Sequence, residues 1–214
     1  MPENFDFDID DLTDALSESI ALVKKGKGPE FEEIIDLYNS LDRQLYIKDV
    51  CDGLGIAVDT VIRFRNRYDE QHNIPVEERK PIRIYIDSYG GSLSDAFTII
   101  NSIHMSKTPV YTIVIGCAYS AGFFISIAGH KRYAYSFASF LYHEGSASNS
   151  GTANQFQNFS DFYKRQLQQL KKHTLACTSI SEELYNEKRR DDWWLDVDEA
   201  LELGIIDEIS EELI

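Results

Sequence analysis

Two tandem units in the middle of the chain constrain the fold more than any other feature. Each is an apolar run, a turn of small residues, and a second apolar run of helical length. In the first, residues 82–87 (IRIYID) lead through Ser88-Tyr-Gly-Gly-Ser92 to residues 93–105, where Ala96, Phe97, Ile100 and Ile103 recur at helical spacing. In the second, residues 110–115 (VYTIVI) lead through Gly116-Cys-Ala-Tyr-Ser-Ala-Gly122 to residues 123–128. The leading runs are β-branched and aromatic, as buried strands are. Strand–helix–strand–helix order predicts α/β layering around a mainly parallel sheet. Both turns then emerge at one sheet edge, where α/β proteins place their sites.

The remaining segments extend that pattern. Upstream, residues 30–38 read as a helix on Phe31, Ile34, Ile35 and Tyr38. A strand over 44–50, a helix over 57–68 and a polar loop over 72–80 follow. Downstream, strands are expected at 131–135 and 139–143, then a polar loop over 144–152. Phe156, Phe159, Tyr163, Leu167 and Leu170 predict a long helix ending near Cys177. The chain closes with a helix over 182–187, the Trp193-Trp-Leu195 run, a short helix through 200–203 and a final apolar segment, 204–209. Residues 1–28 form an acidic N-terminal arm with three lysines at its end, set off by Gly26, Gly28 and Pro29. It reads either as a docking arm with a helical apolar side or as a solvated tail. Residues 29–214 form the main domain.

Bulk properties exclude several function classes. A formal net charge of −15 argues against nucleic acid as a partner. Cys51, Cys117 and Cys177 are odd in number and lack metal-type spacing, which suggests reduced thiols in a cytoplasm. Residues 1–20 are acidic where a signal peptide needs positive charge. Residues 109–129 are uncharged and long enough to span a bilayer. Gly116, Ser120, Gly122 and Ser126 within them, and the absence of a flanking basic cluster, favour strand, turn and buried helix over a membrane span.

Ser120 sits at a strand-to-helix junction, where free amides and the helix dipole favour negative charge. Gly90-Gly91 permits close backbone approach from the neighbouring turn. The strand ending Leu141-Tyr-His143 delivers an imidazole near the same edge. Serine, base and backbone donors are the minimum set for acyl transfer. His72, His104, His130 and His173 read as structural histidines.

The succession IYIDSYGGS, GCAYSAG, LYHEG and DVDEALELGIIDEI resembles the Clp-type serine peptidase family (ClpP) over roughly residues 41–209. The resemblance implies a crotonase-like α/β fold of stacked ββα units with a protruding handle helix at about 144–177. It also implies serine endopeptidase activity on peptides or unfolded proteins, no cofactor or metal, and a homo-oligomeric ring or stacked rings. By position, Ser120 is then the nucleophile, His143 the general base, and the amides of Gly91 and Ala121 the oxyanion hole. Phe156, Phe159 and Tyr163 would lie in a ring–ring contact, or alternatively pack on the chain's own sheet.

The sequence departs from the family's pattern at three places. Ungapped alignment puts Lys188 where the family has its catalytic aspartate. Glu187, Asp191 or Asp192 could substitute after a local shift, with Asn186 a weaker candidate; otherwise the site is a Ser–His dyad, or the chain is a weak or silent structural subunit. Tyr89 stands where a proline usually precedes the paired glycines. Residues 1–40 do not match the family's axial loop, so docking to an ATP-driven unfoldase is unsupported. Such divergence is similar to that of phage-encoded or otherwise specialised relatives. A third alternative is an acyl-CoA enzyme on the same fold.

Overall fold

The computed structural model describes residues 42–214. The acidic arm over 1–28 and the helix expected over 30–38 lie outside the described residues. Among the described residues, one mixed sheet of seven strands and six helices accounts for the architecture. In chain order these are β1 (Gln44–Ile47), α1 (Leu54–Gln71), β2 (Ile82–Ser88), α2 (Leu93–Met105), β3 (Val110–Tyr119), α3 (Ala121–Ser126), β4 (Lys131–Tyr135), β5 (Ser139–Tyr142), α4 (Ala153–Cys177), α5 (Glu182–Lys188), β6 (Trp193–Asp196), α6 (Val197–Glu202) and β7 (Glu208–Ser210).

The sheet runs β1-β2-β3-β4-β7, with β5 also paired to β3 and β6 to β5. β2, β3, β4 and β7 pair in parallel, as the tandem units require, and β5–β6 is antiparallel. Ile82, Ile84, Ile86, Val110 and Val114 are buried, as are Ile99, Ile103, Phe123 and Phe124 on the helices. Each such side chain contributes about 1.5–3 kcal/mol of burial. Thr112, on the helix-facing side of β3, donates to the Ser126 carbonyl at 2.6 Å. The alternate residues Tyr85, Ile113 and Tyr133 form a separate cluster with Tyr111, Ile115 and Tyr135, the period-2 alternation of a strand.

α1 buries Gly55, Val58, Ile62, Arg65 and Asp69, one stripe at helical spacing. Its start is tied to α2 through Asp95, whose carboxylate accepts the amides of Gly53 and Gly55 at 3.0 and 2.9 Å. Ser92 caps α2 and donates to the same carboxylate at 2.6 Å. The Ser92 hydroxyl and the two glycine amides hold the Asp95 carboxyl below the usual carboxylate range.

The sequence reading ends the third strand at Ile115, whereas β3 continues to Tyr119. The extension passes through an irregularity: Ile86 pairs with Val114 but Ser88 with Ala118, so β3 carries extra residues there. Asp87 accepts the Cys117 amide at 3.1 Å, supplying a partner where the ladder is broken. The first half of β3 pairs with β4 and the second half with β5. The segment over 109–129 is thus β3 followed by the short α3, and no described helix is long and apolar enough to cross a membrane.

Candidate active site

Ser120 is set by strand register and by backbone strain. Tyr119 ends β3 opposite Leu141 of β5, and the Ser120 amide donates to the Leu141 carbonyl at 2.9 Å. Ser120 itself has φ 54° and ψ −119°. A non-glycine residue in such a region costs on the order of 1–3 kcal/mol and is held only where surroundings impose it. This sharp strand-to-helix turn lifts a serine hydroxyl clear of the sheet edge. The hydroxyl makes no hydrogen bond as helix cap.

The paired glycines come close because they must. A Cβ on Gly90 would sit 2.7 Å from the Ser120 Cβ, and one on Gly91 would sit 2.2 Å from the Val50 carbonyl oxygen. Both glycines also have positive φ, 104° and 140°. Val50 clamps the turn from one side: its amide donates to the Gly90 carbonyl at 2.9 Å, and its carbonyl accepts the Ser92 amide at 2.6 Å. Successive amides of extended chain point to opposite sides, so the Gly91 N–H faces away from Val50. Gly91, Ser120, Ala121 and His143 all line one cleft of about 330 Å³ with Phe124, Glu144, Gly145, Ser146, Tyr163 and Leu170. The four residues singled out from the sequence are therefore brought together.

His143 follows β5, and its surroundings come from three other elements. The antiparallel register pairs Tyr142 with Trp193, which sets the next residues outward, His143 and Asp192, opposite each other. Asp192 Oδ1 lies 3.5 Å from His143 Nδ1, at ion-pair distance. The other ring nitrogen, Nε2, is buried without a hydrogen-bond partner among the described residues. Lys188, at the position aligned with a catalytic aspartate, instead pairs with its neighbour Glu187 at 3.4 Å. Of the acidic candidates the sequence left open, Asp192 meets the imidazole.

Side chains to which the sequence reading gave no part in the site hold this arrangement. The Tyr142 hydroxyl donates to that of Tyr185 on α5 at 2.5 Å, both buried. Burial and the neighbouring phenol push the Tyr142 hydroxyl far above its ordinary range, so it stays a neutral donor. Arg189, just after α5, pairs with Glu144 at 2.7 Å, joining the segment that carries Asp192 to the residue after His143. Tyr163 on α4 donates to the Glu144 carbonyl at 2.6 Å. Tyr163 thus serves its own chain's cleft, and Phe159 stacks on it at 6.4 Å. Phe156 is more than half exposed, which contradicts packing of that residue on the chain's own sheet.

Comparisons with known proteins place the chain among relatives. The sequence model of the Clp protease family matches residues 75–213, which include all four residues above. The ATP-dependent Clp protease proteolytic subunit 2 of Treponema pallidum is 31% identical over 134 residues, covering 62% of this chain and 67% of that protein. The proteolytic subunit of Streptococcus mutans is 31% identical over 188 residues, covering 84% of this chain and 91% of that protein. Subunit 3 of a Synechococcus species is 29% identical over 191 residues, with 85% and 90% covered. With a family model matched over more than half of its length and a relative 31% identical that is covered to 91%, this chain belongs to the Clp protease family.

Proposed function

We propose that the chain is a serine endopeptidase of the Clp protease family, working through an acyl-enzyme on Ser120. Ser120 Oγ attacks the peptide carbonyl while His143 Nε2 takes its proton and returns it to the leaving amine. The amides of Gly91 and Ala121 hold the developing oxyanion. Asp192 faces His143 Nδ1, keeping the imidazole in the tautomer that leaves Nε2 free to accept. Water then reverses the sequence and releases the second product. The observation that carries this reading is the convergence of strained Ser120, the partnerless His143 nitrogen and the two turn amides on one cleft.

The substrate class is an extended peptide or unfolded segment. Residues 143–150 are irregular backbone beside the cleft, and with the 91–93 segment they offer edges to which a peptide strand can add. The exposed aromatic face of α4 supports assembly of copies into a ring or stacked rings. A silent structural subunit is the competing reading, motivated by Lys188, and the Asp192–His143 proximity weighs against it.

Fluorophosphonate labelling tests the proposal. Wild-type protein should form one covalent adduct per chain, and Ser120→Ala none; His143→Ala should slow labelling on the order of 100-fold or more. An intact, assembled wild-type protein that neither labels nor cleaves unfolded peptide overturns it.

A further inference from the structure

Beside α3, and outside the residues that line the cleft, three metal-ligating side chains converge that the peptidase chemistry does not use. His173 and Cys177 stand one turn apart on α4, and His104 reaches them from the last turn of α2. Their candidate donor atoms all lie within 4.8 Å of one another. We propose that His104, His173 and Cys177 bind a single zinc ion.

One pair of these ligands already stands at the spacing that ion sets. A tetrahedral zinc with bonds of about 2.0–2.1 Å to nitrogen and about 2.3 Å to sulfur sets those two ligands about 3.5 Å apart. Cys177 Sγ and His173 Nδ1 are 3.5 Å apart. The other nitrogen of His173, Nε2, lies 2.9 Å from the Phe124 carbonyl. A carbonyl only accepts, so Nε2 carries the proton and Nδ1 keeps its lone pair toward Cys177. An imidazole held this way by a backbone carbonyl is the usual outer support of a metal-ligating histidine.

His104 completes the set from the solvent side. Its ring lies 5.3 Å from that of His173, centroid to centroid, and no hydrogen bond among the described residues uses it. It is exposed while His173 and Cys177 are half-buried, which gives the ion an entry path and the imidazole room to turn inward. Two imidazoles and a thiolate are a borderline-soft set that suits zinc over calcium or magnesium. Cys177 binds as the thiolate, its proton passing to solvent, and water fills the fourth position. The sequence hides this site, because its ligands come from segments about seventy residues apart and only one is a cysteine. The sequence reading takes His104 and His173 as structural histidines; the proposal adds a ligand role to each.

Cobalt reports the site without reference to peptidase activity. Full-length protein stripped with a chelator and titrated with cobalt(II) should take up one ion per chain, show a thiolate-to-cobalt charge-transfer band, and lose it to stoichiometric zinc. Cys177→Ser should abolish the band, whereas Cys51→Ser should keep it. His104→Ala, at an exposed position that leaves the fold intact, should weaken binding by about 10-fold or more, since even outer supports are worth 10–100-fold. Zinc should also raise the thermal midpoint of wild type but not of Cys177→Ser. No band at stoichiometric cobalt, or a band that survives Cys177→Ser, overturns the proposal.

Discussion

At the scale of single residues, the proposed mechanism turns on His143 and whichever group steadies its Nδ1. A lysine there would repel an imidazolium, and an aspartate stabilises it. Lys188 points to Glu187 instead, and Asp192 lies opposite His143 across the β5–β6 ladder. Asp192 is largely exposed, so water shares its work and its loss should cost less than that of a buried partner. Asp192→Asn is therefore expected to lower kcat on the order of 10- to 100-fold with little change in KM. Lys188→Ala should leave both constants within about twofold, as expected of a surface pair. Steady-state cleavage of a short fluorogenic peptide by the two variants measures this. Equal effects would mean that Asp192 does not orient the imidazole.

At the scale of elements, the site depends on ladders and on the ties between them. Arg132 of β4 is one such tie. Its backbone amide donates to Asp207 at 2.8 Å, its guanidinium pairs with the same carboxylate, and it also donates to the Gly204 carbonyl at 2.7 Å. This fixes the turn that leads into β7. Burial pushes the Asp207 carboxyl up, but the Arg132 contacts outweigh it and hold it below the usual carboxylate range. A folded value below the unfolded one adds stability above the unfolded value, near pH 4, and that stability fades as pH falls through the folded one. Asp207→Asn should cost about 1–2 kcal/mol at neutral pH, less than a fully buried charged hydrogen bond because the carboxylate is partly solvated. Urea unfolding should show the gap to wild type narrowing below about pH 4; a gap independent of pH would contradict this account.

Element boundaries also show what a sequence can and cannot carry. The run over 93–105 and the strand over 131–135 are found as expected, because periodicity and turn residues mark both their ends. β3 outruns its expected end at Ile115, since Gly116 reads locally as a stop while the pairing with β5 and the distant Asp87 side chain carry the strand on. That Ser120, His143, Gly91 and Ala121 share one cleft is what their motif order leads one to expect. Asp192 was legible only as one of several acids, because its place is set by an antiparallel pairing between strands about fifty residues apart. Val50 and Arg189 carry no local signal and Tyr163 signals only its helix: what brings each to the site is long-range contact.

At the scale of the whole molecule, α4 is the element that the described residues leave with an uncovered apolar face. It runs 25 residues, about 37 Å, yet buries only Leu170 and Thr174, both in its second half. Phe156 and Phe162 are about half exposed, and a capping box of Thr152 and Gln155 holds the start of the helix. A helix with such a face needs a partner surface to be stable in water. The same helix reaches the cleft through Leu170 and through the Tyr163 bond to Glu144, so packing along α4 and the setting of the segment after His143 are mechanically linked. Replacing both Phe156 and Phe162 with Glu should shift wild-type multimers to smaller species by light scattering, with far-UV circular dichroism nearly unchanged. Fluorophosphonate labelling of Ser120 should slow in the same variant although no group in the cleft has been altered. Wild-type protein that is monomeric at micromolar concentration, or a dissociated variant that labels at the wild-type rate, would uncouple α4 from both assembly and the site.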